Sequence, residues 1–475
     1  MGIARKSLAQ RCESGYLVQA VMIAHHMDRR TFIGSVASGL ALATTGGYAT
    51  ALAAHEKRWR VALIGTGWYG KSDLFRLIQV APVDVVGLCD PDRHQLTEAA
   101  ALVRSRSPQS KPRTFSEHEQ LLRETRPEIV LIGTPDHWHA VTCIDALRSG
   151  AHVYVQKPIS VDVIEGEAMV AAARKYNRVV QVGLQRRSTP HILDAKKTIL
   201  DAGLLGRIHH VEMCCYYHMR SNSNPPVIPV PDHLDYDRWT GPAPLRPYDG
   251  LPHLGWWRAF MEYGNGIMGD MCVHMFDAVR WLLGLGWPVR ISSTGGIYMD
   301  HEGKSNIADT QTAVFEYPEL NCVWQHRTWG TAVNEQYPWA FTLYGDKGTL
   351  WVSTMQYDFQ PYGRNDVQHV DVLYEREKFP EDLTERQIEL HCAPATRGHM
   401  QNFIKAINTN SKPVADIAEG HISTASCILA NLSMKLGRPV TYDPVKRVVV
   451  NDAEATALLR RAYRGPWIHP EPDKV

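Results

Sequence analysis

The sequence predicts an α/β chain: a doubly wound parallel sheet, followed by an α+β domain built on a large, open, mostly antiparallel sheet. Three observations predict it. The first is a short apolar run, Arg60-Val61-Ala62-Leu63-Ile64, that enters the turn Gly65-Thr66-Gly67-Trp68-Tyr69-Gly70 and leaves it on a helical pattern through Leu74, Leu77 and Ile78. The second is the recurrence of apolar runs at 83–89, 127–132 and 151–155, with helical segments between them. The third is the stretch from Val289 to Leu350, where apolar and polar residues alternate. Turns there fall at Gly295-Gly296, Pro318 and Gly345-Asp346-Lys347-Gly348, which reads as a β-meander whose face is available for self-association.

The glycine turn is the most informative stretch. Gly65 permits the tight turn, Gly67 lets the backbone approach a pyrophosphate, and Gly70 lets helix and strand pack closely. Phosphates would sit at the helix N-terminus, where free N–H groups and the dipole favour anions. Thr66, Trp68 and Tyr69 belong to the same cofactor-facing turn. The next apolar run, Val83 to Cys89, ends in Asp90, where a Rossmann fold places the carboxylate that binds the adenosine ribose. An acid there repels a 2′-phosphate, so NAD is expected over NADP, with Arg93 close enough to soften the preference.

Further along, Gln95 to Arg104 has helical composition, and Phe115 to Leu122 reads as a short helix with Ser116 as cap and Glu119 at the capping-box position. Pro127 to Ile132 is a strand ending in Gly133-Thr134-Pro135-Asp136-His137-Trp138-His139. Ligands bind at the strand tips of a parallel sheet, so Thr134 and His139 are cofactor-facing candidates, and His137 is expected to face solvent. A helix over 140–149 and the strand Ala151–Val155 lead to Gln156-Lys157-Pro158. A lysine at a strand tip beside a nicotinamide can hydrogen-bond a substrate hydroxyl and stabilise the alkoxide that develops as hydride leaves.

Composition bounds the rest. With 475 residues the chain has room for two domains, and a net charge of +1 gives no electrostatic case for nucleic acid or an anionic membrane. The nine cysteines show no C-x-x-C spacing and read as buried free thiols rather than a disulfide or zinc framework; no metal is expected. Residues 1–53 read as an N-terminal extension and export signal. Asp28-Arg29-Arg30-Thr31-Phe32-Ile33 resembles the twin-arginine (Tat) pattern, the apolar stretch after it is too short and weak to span a bilayer, and Ala51-Leu52-Ala53 offers small residues for cleavage before Ala54. The expected location is periplasmic or secreted, with no membrane insertion once the signal is removed. Free nicotinamide cofactor is scarce there, so a hydride removed from substrate would be returned in the same site.

These residues resemble the Gfo/Idh/MocA family of sugar and inositol dehydrogenases. The match is carried by Gly65-Thr66-Gly67-Trp68-Tyr69-Gly70, Asp90, Thr134-Pro135 with His139, Lys157-Pro158, and the stretch from Gly264-Asn265-Gly266 to Met275-Phe276-Asp277. The resemblance implies an NAD-binding Rossmann domain over 58–180 and a substrate-binding and oligomerisation domain over 181–475. The family pattern has Glu before Lys-Pro, and here it is Gln156.

In the second domain, Val179 to Leu184 is an apolar strand leading to Gln185-Arg186-Arg187 at the crossing between domains. Gln185 is assigned to the cofactor and Arg186 to substrate hydroxyls or a carboxylate. A helix is expected over 190–202 and a strand from Gly206. The segment from Ser221 to Trp257, rich in Pro, Asn and aromatic residues, reads equally as a carbohydrate-stacking loop contributing Trp257 and as a structural insertion packed on a neighbouring subunit. Asp270 and His274 stand four apart on an inferred helix and share a face. With Lys157 they form a set suited to hydride transfer, in which His274 is the general base and Asp270 orients the substrate or the imidazole. Asp270, His274 and a distant His such as His326 could also hold a metal, the third ligand being a guess. The sequence thus points to an oxidoreductase acting on a secondary hydroxyl of a sugar, glycoside or cyclitol, assembled as a homo-oligomer through the C-terminal sheet. Two alternatives stay open: glycoside cleavage or elimination through a 3-keto sugar, and a non-catalytic sugar-binding protein.

Overall fold

The computed structural model describes residues 57–475 apart from 218, 219 and 387, so the expected export segment lies outside the described residues. The chain opens with β1 (Trp59–Ile64), α1 (Trp68–Val80), β2 (Val83–Cys89), α2 (Arg93–Arg106), β3 (Arg113–Phe115), α3 (His118–Thr125), β4 (Ile129–Ile132), α4 (His139–Arg148), β5 (His152–Val155), α5 (Val163–Lys175) and β6 (Val180–Val182). All six strands are parallel, in the order β3-β2-β1-β4-β5-β6, which is the doubly wound dinucleotide-binding arrangement. Val61–Ile64 of β1 and all of β4 read as unbroken apolar runs because helices cover both faces of the sheet.

One expectation fails here. Phe115 does not begin a helix. It is buried at the end of β3, paired with Cys89, and its carbonyl accepts from Asp90 N at 3.1 Å. The helix starts at His118 and its N-cap is Glu117, without a side-chain bond, so Ser116 is no cap. A free ladder edge on β2 captured the segment before helical propensity could.

The second half contains α6 (Pro190–Ala195), which runs on as a π-helical stretch, Lys196–Leu200, then β7 (Ile208–Cys215) and α7 (Tyr236–Thr240). A further π-helical turn, Met268–Cys272, leads into α8 (Val273–Leu283). There follow β8 (Arg290–Gly296), β9 (Thr310–Glu316), β10 (Asn321–Arg327), β11 (Trp339–Gly345), β12 (Gly348–Ser353), β13 (Gln356–Pro361) and β14 (Gln368–Asp371), and then α9 (Ala393–Thr409) and α10 (Ile417–Leu436). The sheet order is β14-β13-β12-β11-β7-β10-β9-β8. The expected meander is therefore interrupted. β7 is inserted between β10 and β11, parallel to the first and antiparallel to the second, and the remaining neighbours are antiparallel. Turn signals mark where strands end but carry no information on which earlier strand enters the sheet.

The last helices return to the first half. Met400, Phe403 and Ala406 of α9 share a core with Val61, Leu63 and Leu74, and Arg397 and Arg76 meet at Asp382, at 2.7 and 3.2 Å. α10 packs on α5. Arg58–Val475 form one compact unit. The eight cysteines described are free, and all but Cys214 are buried. Among the described residues no helix is long and apolar enough to cross a membrane.

Candidate active site

A cavity of about 1160 Å³ runs from the glycine turn at the tip of β1, past the tips of β4 and β5, to the face of α8. At one end it is lined by Gly65, Gly67, Trp68, Tyr69, Asp90 and Thr134, and at the other by Gln156, Lys157, Arg186, Trp257, Asp270 and His274. The strand tips and α8 thus bring together residues more than a hundred positions apart in sequence. Thr66, Gly70, Gln185 and His139 are not part of the wall.

The three glycines do different work. Gly65 has φ +85°, and a Cβ there would lie 2.5 Å from Thr134 N. A Cβ on Gly70 would lie 2.1 Å from the Gly65 carbonyl oxygen, so this position fixes how closely α1 approaches the turn. A Cβ on Gly67 would meet nothing within 4 Å. The second glycine therefore borders open space at the N-terminus of α1, as a cradle for phosphate requires. Asp90 is anchored to the turn: Thr66 N and Oγ1 donate to its Oδ2 at 2.8 and 3.1 Å, and Asp92 N donates to Oδ1 at 3.0 Å. Burial pushes the Asp90 carboxyl up to about 6, with the bonds from Asp92 and Thr66 holding it back. Thr134 adds a buried hydroxyl with no partner of its own. The cradle, the carboxylate and this hydroxyl fit a dinucleotide. Arg93 gives its guanidinium to the Asp232 carbonyl and does not line the cavity, so it is not placed to favour a 2′-phosphate.

At the far end Lys157 Nζ lies 2.5 Å from Asp270 Oδ1 and 2.9 Å from the Asp270 carbonyl oxygen. Arg258 Nε is 3.0 Å from the same Oδ1, and its guanidinium stacks 3.9 Å over the Trp257 ring. Burial alone would raise the Asp270 carboxyl, but Arg258 and Lys157 more than offset it and hold the group below its ordinary value. Burial also draws the Lys157 ammonium below its ordinary value, against the pull of Asp270. His274 is buried beside Trp339, ring centroids 5.4 Å apart, with Nδ1 unpartnered. Burial first, then the charges of Lys157, Arg186 and Arg258, hold its imidazole well below the usual range, so the ring is neutral. Asp270 spends its carboxylate on the two cations; among the described residues it has no bond to the His274 ring, so it does not orient that imidazole.

Other expected residues have supporting positions. Gln156 Nε2 donates to Asp73 Oδ2 at 2.6 Å, and Gln185 Nε2 donates to the Tyr69 hydroxyl at 2.7 Å. His139 sits behind the wall between two carbonyls, Nδ1 2.7 Å from Pro158 O and Nε2 3.0 Å from Thr134 O. Burial pushes its pKa down to about 4, so the neutral ring donates to only one of them, tying the β4 and β5 tips together. His137 does not face solvent: it is buried against Trp239 and Tyr263, with Nε2 3.2 Å from Trp239 O. His326 lies in β10, bonded to Trp324 Nε1 at 3.0 Å and away from the cavity, so it joins no site with Asp270 and His274.

The aromatic segment 221–257 is partly packed within the chain and partly turned to the cavity. Tyr236 and Tyr248 are buried in a core of their own with Phe260 and Tyr263 and do not line the cavity, whereas Trp239 of that core, together with Trp256 and Trp257, does. The segment also straps the adenosine end of the cleft. Arg93 N donates to His233 O at 2.9 Å, Asp235 N to Pro91 O at 3.0 Å, and His253 Nε2 lies 3.1 Å from Asp92 Oδ2. His94 and His233 stack with centroids 3.8 Å apart.

Sequence reasoning missed four residues. Arg258 adjoined the aromatic run and was within reach. Asp136, two residues after Thr134, is buried, with one oxygen unpartnered and its carboxyl pushed up to about 7 by burial despite Arg258 and Lys157. Trp339 and Glu389, both on the wall, come from a sheet strand and a late loop with no local signal.

Fold and cleft together define a dinucleotide-dependent oxidoreductase. Two family models match the chain: the NAD-binding Rossmann fold of the Gfo/Idh/MocA oxidoreductases over residues 59–184, and the C-terminal α/β domain of the same oxidoreductases over 230–442. The protein belongs to the Gfo/Idh/MocA family and is an NAD-dependent oxidoreductase. The scyllo-inositol 2-dehydrogenase (NAD+) of Bacillus subtilis strain 168 is 23% identical over 402 residues, covering 82% of this chain and 98% of that one. Among solved structures, an oxidoreductase from Agrobacterium radiobacter in complex with NAD+, L-tartaric acid and magnesium superposes with a TM-score of 0.62 at 15% identity, over 81% of this chain and 98% of that chain. Levoglucosan dehydrogenase, in complex with NADH and levoglucosan, does so with a TM-score of 0.61 at 17% identity, over 81% and 99%. Both structural likenesses concern the fold.

Proposed function

We propose that the protein is an exported dehydrogenase that oxidises a secondary hydroxyl of a sugar, glycoside or cyclitol and keeps its NAD bound between turnovers. One observation carries this reading: Lys157 from the β5 tip and His274 from α8 line the same cavity as the Gly67 cradle. Bound there, NAD supplies the hydride acceptor. His274, neutral and with a free ring nitrogen, takes the hydroxyl proton. Lys157, kept charged by Asp270, stabilises the oxygen as negative charge develops on it. Arg258 holds Asp270 from the other side, and Trp257 gives the sugar ring an apolar face. The Bacillus subtilis scyllo-inositol 2-dehydrogenase and the levoglucosan dehydrogenase that holds levoglucosan support a polyhydroxylated ring as the substrate class.

Retention of the cofactor is supported by the strap over the adenosine end, since its contacts with Pro91, Arg93 and Asp92 must open before a dinucleotide leaves. Export is supported by the twin-arginine pattern at Arg29-Arg30. The open face of the eight-stranded sheet is the surface proposed for self-association. The test is a screen of sugars, glycosides and cyclitols with purified protein and no added NAD, following reduced-nicotinamide absorbance and product mass together. A substrate that reduces bound nicotinamide supports the reading. Protein that releases no nicotinamide on denaturation, and turns over no polyol even when NAD is supplied, refutes it.

A further inference from the structure

Arg186 follows β6, is only 3% exposed, and lines the cavity beside Trp339 and His274. Its Nη1 reaches Cys392 Sγ at 3.4 Å, its guanidinium lies 5.1 Å from the Trp339 ring centroid, and its Nε has no partner. Among the described residues no carboxylate stands within ion-pair distance of it. Its neighbours are compensated. Lys157 and Arg258 share Asp270, and Arg187, the next residue, holds Asp277 through Nε and Nη2, both at 2.8 Å.

A guanidinium cannot shed its proton, so burial leaves it a charge that must find a counter-ion or cost several kcal/mol. Among the described residues none stands within ion-pair distance. Burial pushes the Cys392 thiol up to about 11 and raises the Tyr69 phenol as well, so both are neutral. Glu389, on the same cavity wall with a carboxylate oxygen within 4.8 Å of Cys392 Sγ, raises the Arg186 pKa but forms no ion pair with it. The pyrophosphate cradle is at the other end, at Gly67.

We infer that Arg186 receives an anionic group carried by the substrate, and that the substrate is a ring bearing a carboxylate, a uronic acid or its glycoside. This rests on the reading of the cavity as a sugar dehydrogenase site. A carboxylate suits the site better than a phosphate. A single planar guanidinium matches a monoanion, and Glu389 on the same wall would repel a second negative charge. Trp339, under the guanidinium, gives the adjoining ring carbons an apolar surface.

The experiment uses the full protein with its bound NAD and matched pairs of methyl glycosides that differ only in a C6 carboxylate or hydroxymethyl group, in the gluco and galacto series. Turnover is read from nicotinamide absorbance, and binding from tryptophan fluorescence. One charge-assisted bond predicts that the acid member is favoured by about 10-fold or more in kcat/KM. Arg186→Met should cut that acid-to-neutral ratio by about 10- to 100-fold, and Arg186→Lys should restore part of it. The inference is overturned if the wild-type protein prefers the neutral member of both pairs or does not distinguish them. It is equally overturned if Arg186→Met lowers both members alike, or purifies without NAD while keeping the ratio, which would assign Arg186 to the cofactor. The wild-type ratio decides the matter even if neither variant folds. Selective quenching by the acids with no nicotinamide reduction would leave Arg186 an anion receptor and remove the dehydrogenase reading instead.

Discussion

Gln156 Nε2 donates a 2.6 Å hydrogen bond to Asp73 Oδ2, joining the tip of β5 to the first turns of α1 across the cofactor cleft. Both residues are buried, and a Cβ on Gly183 would lie 2.7 Å from the Gln156 amide, so the side chain has no room to turn away. The Gln in place of the family's Glu is thereby explained: its partner is already a carboxyl, one that burial pushes up to about 7 even with the amide bond holding it back.

Gln156→Glu therefore sets two carboxyls against each other at hydrogen-bond distance in a dry site, where one must hold a proton. Below the ordinary carboxylate range the pair shares protons at little cost. As pH rises both are pressed to ionise, and the variant should lose about 2–4 kcal/mol relative to wild type. Urea unfolding at pH 5 and pH 8 checks the sign, with the deficit larger at pH 8. Adding Asp73→Asn should restore most of it. An equal deficit at both pH values would show that the loss comes from packing.

The turn glycines separate folding from cofactor binding. Gly70→Ala drives a methyl to 2.1 Å from the Gly65 carbonyl and should cost about 3 kcal/mol or more, seen as a lowered urea midpoint. Gly67→Ala puts its methyl in open space and should leave the apo protein's midpoint within about 0.5 kcal/mol of wild type while weakening NAD by about 100-fold in calorimetry. Unchanged NAD affinity in Gly67→Ala would place the dinucleotide elsewhere.

Local signals made the first half of the chain legible. The β1 turn, Asp90 and the Lys157 strand tip each sit within a few residues of the pattern that reveals them, because a parallel strand, its tip and its helix are contiguous. What escaped depends on distant pairing. β7 enters a sheet assembled some hundred residues later, Phe115 is taken by an edge that only the folded β2 presents, and His137 is buried by Tyr263 and Trp239 from the strap. In the site, Lys157 and His274 carried motif signals, whereas Trp339 and Glu389 reach the cavity only through tertiary packing.

Lys157 and Asp270 should separate in their pH behaviour. Lys157→Met removes the cation facing the reacting oxygen and should lower kcat by about 10²–10⁴-fold with NAD still bound. Asp270→Asn keeps the cation but removes the charge that opposes the burial-driven drop in its pKa. The Lys157 ammonium should then lose its proton at lower pH, and the alkaline limb of the kcat profile should move down. An alkaline limb that stays in place would mean that Asp270 does not set the protonation of Lys157.

Asp136 is the carboxyl at the substrate end placed to titrate near neutrality, at about 7. Its folded pKa lies above the unfolded value of 3.8, so the folded state binds the proton more tightly. The stabilisation this gives is complete below about pH 4 and is lost as pH rises through 7. Asp136→Asn deletes that dependence. Between pH 5 and pH 8 the variant should lose less stability than wild type, and the comparison cancels the buried carboxyls of Asp73 and Asp90, which titrate in both proteins. The substitution also removes a negative charge beside Arg258 and Lys157, so above pH 7 it should lower the Lys157 pKa and weaken turnover more than it does at pH 6. Urea midpoints at the two pH values, with kcat measured alongside, check both halves. Identical pH slopes for variant and wild type would show that Asp136 is ionised throughout, held by Arg258 more firmly than its burial suggests.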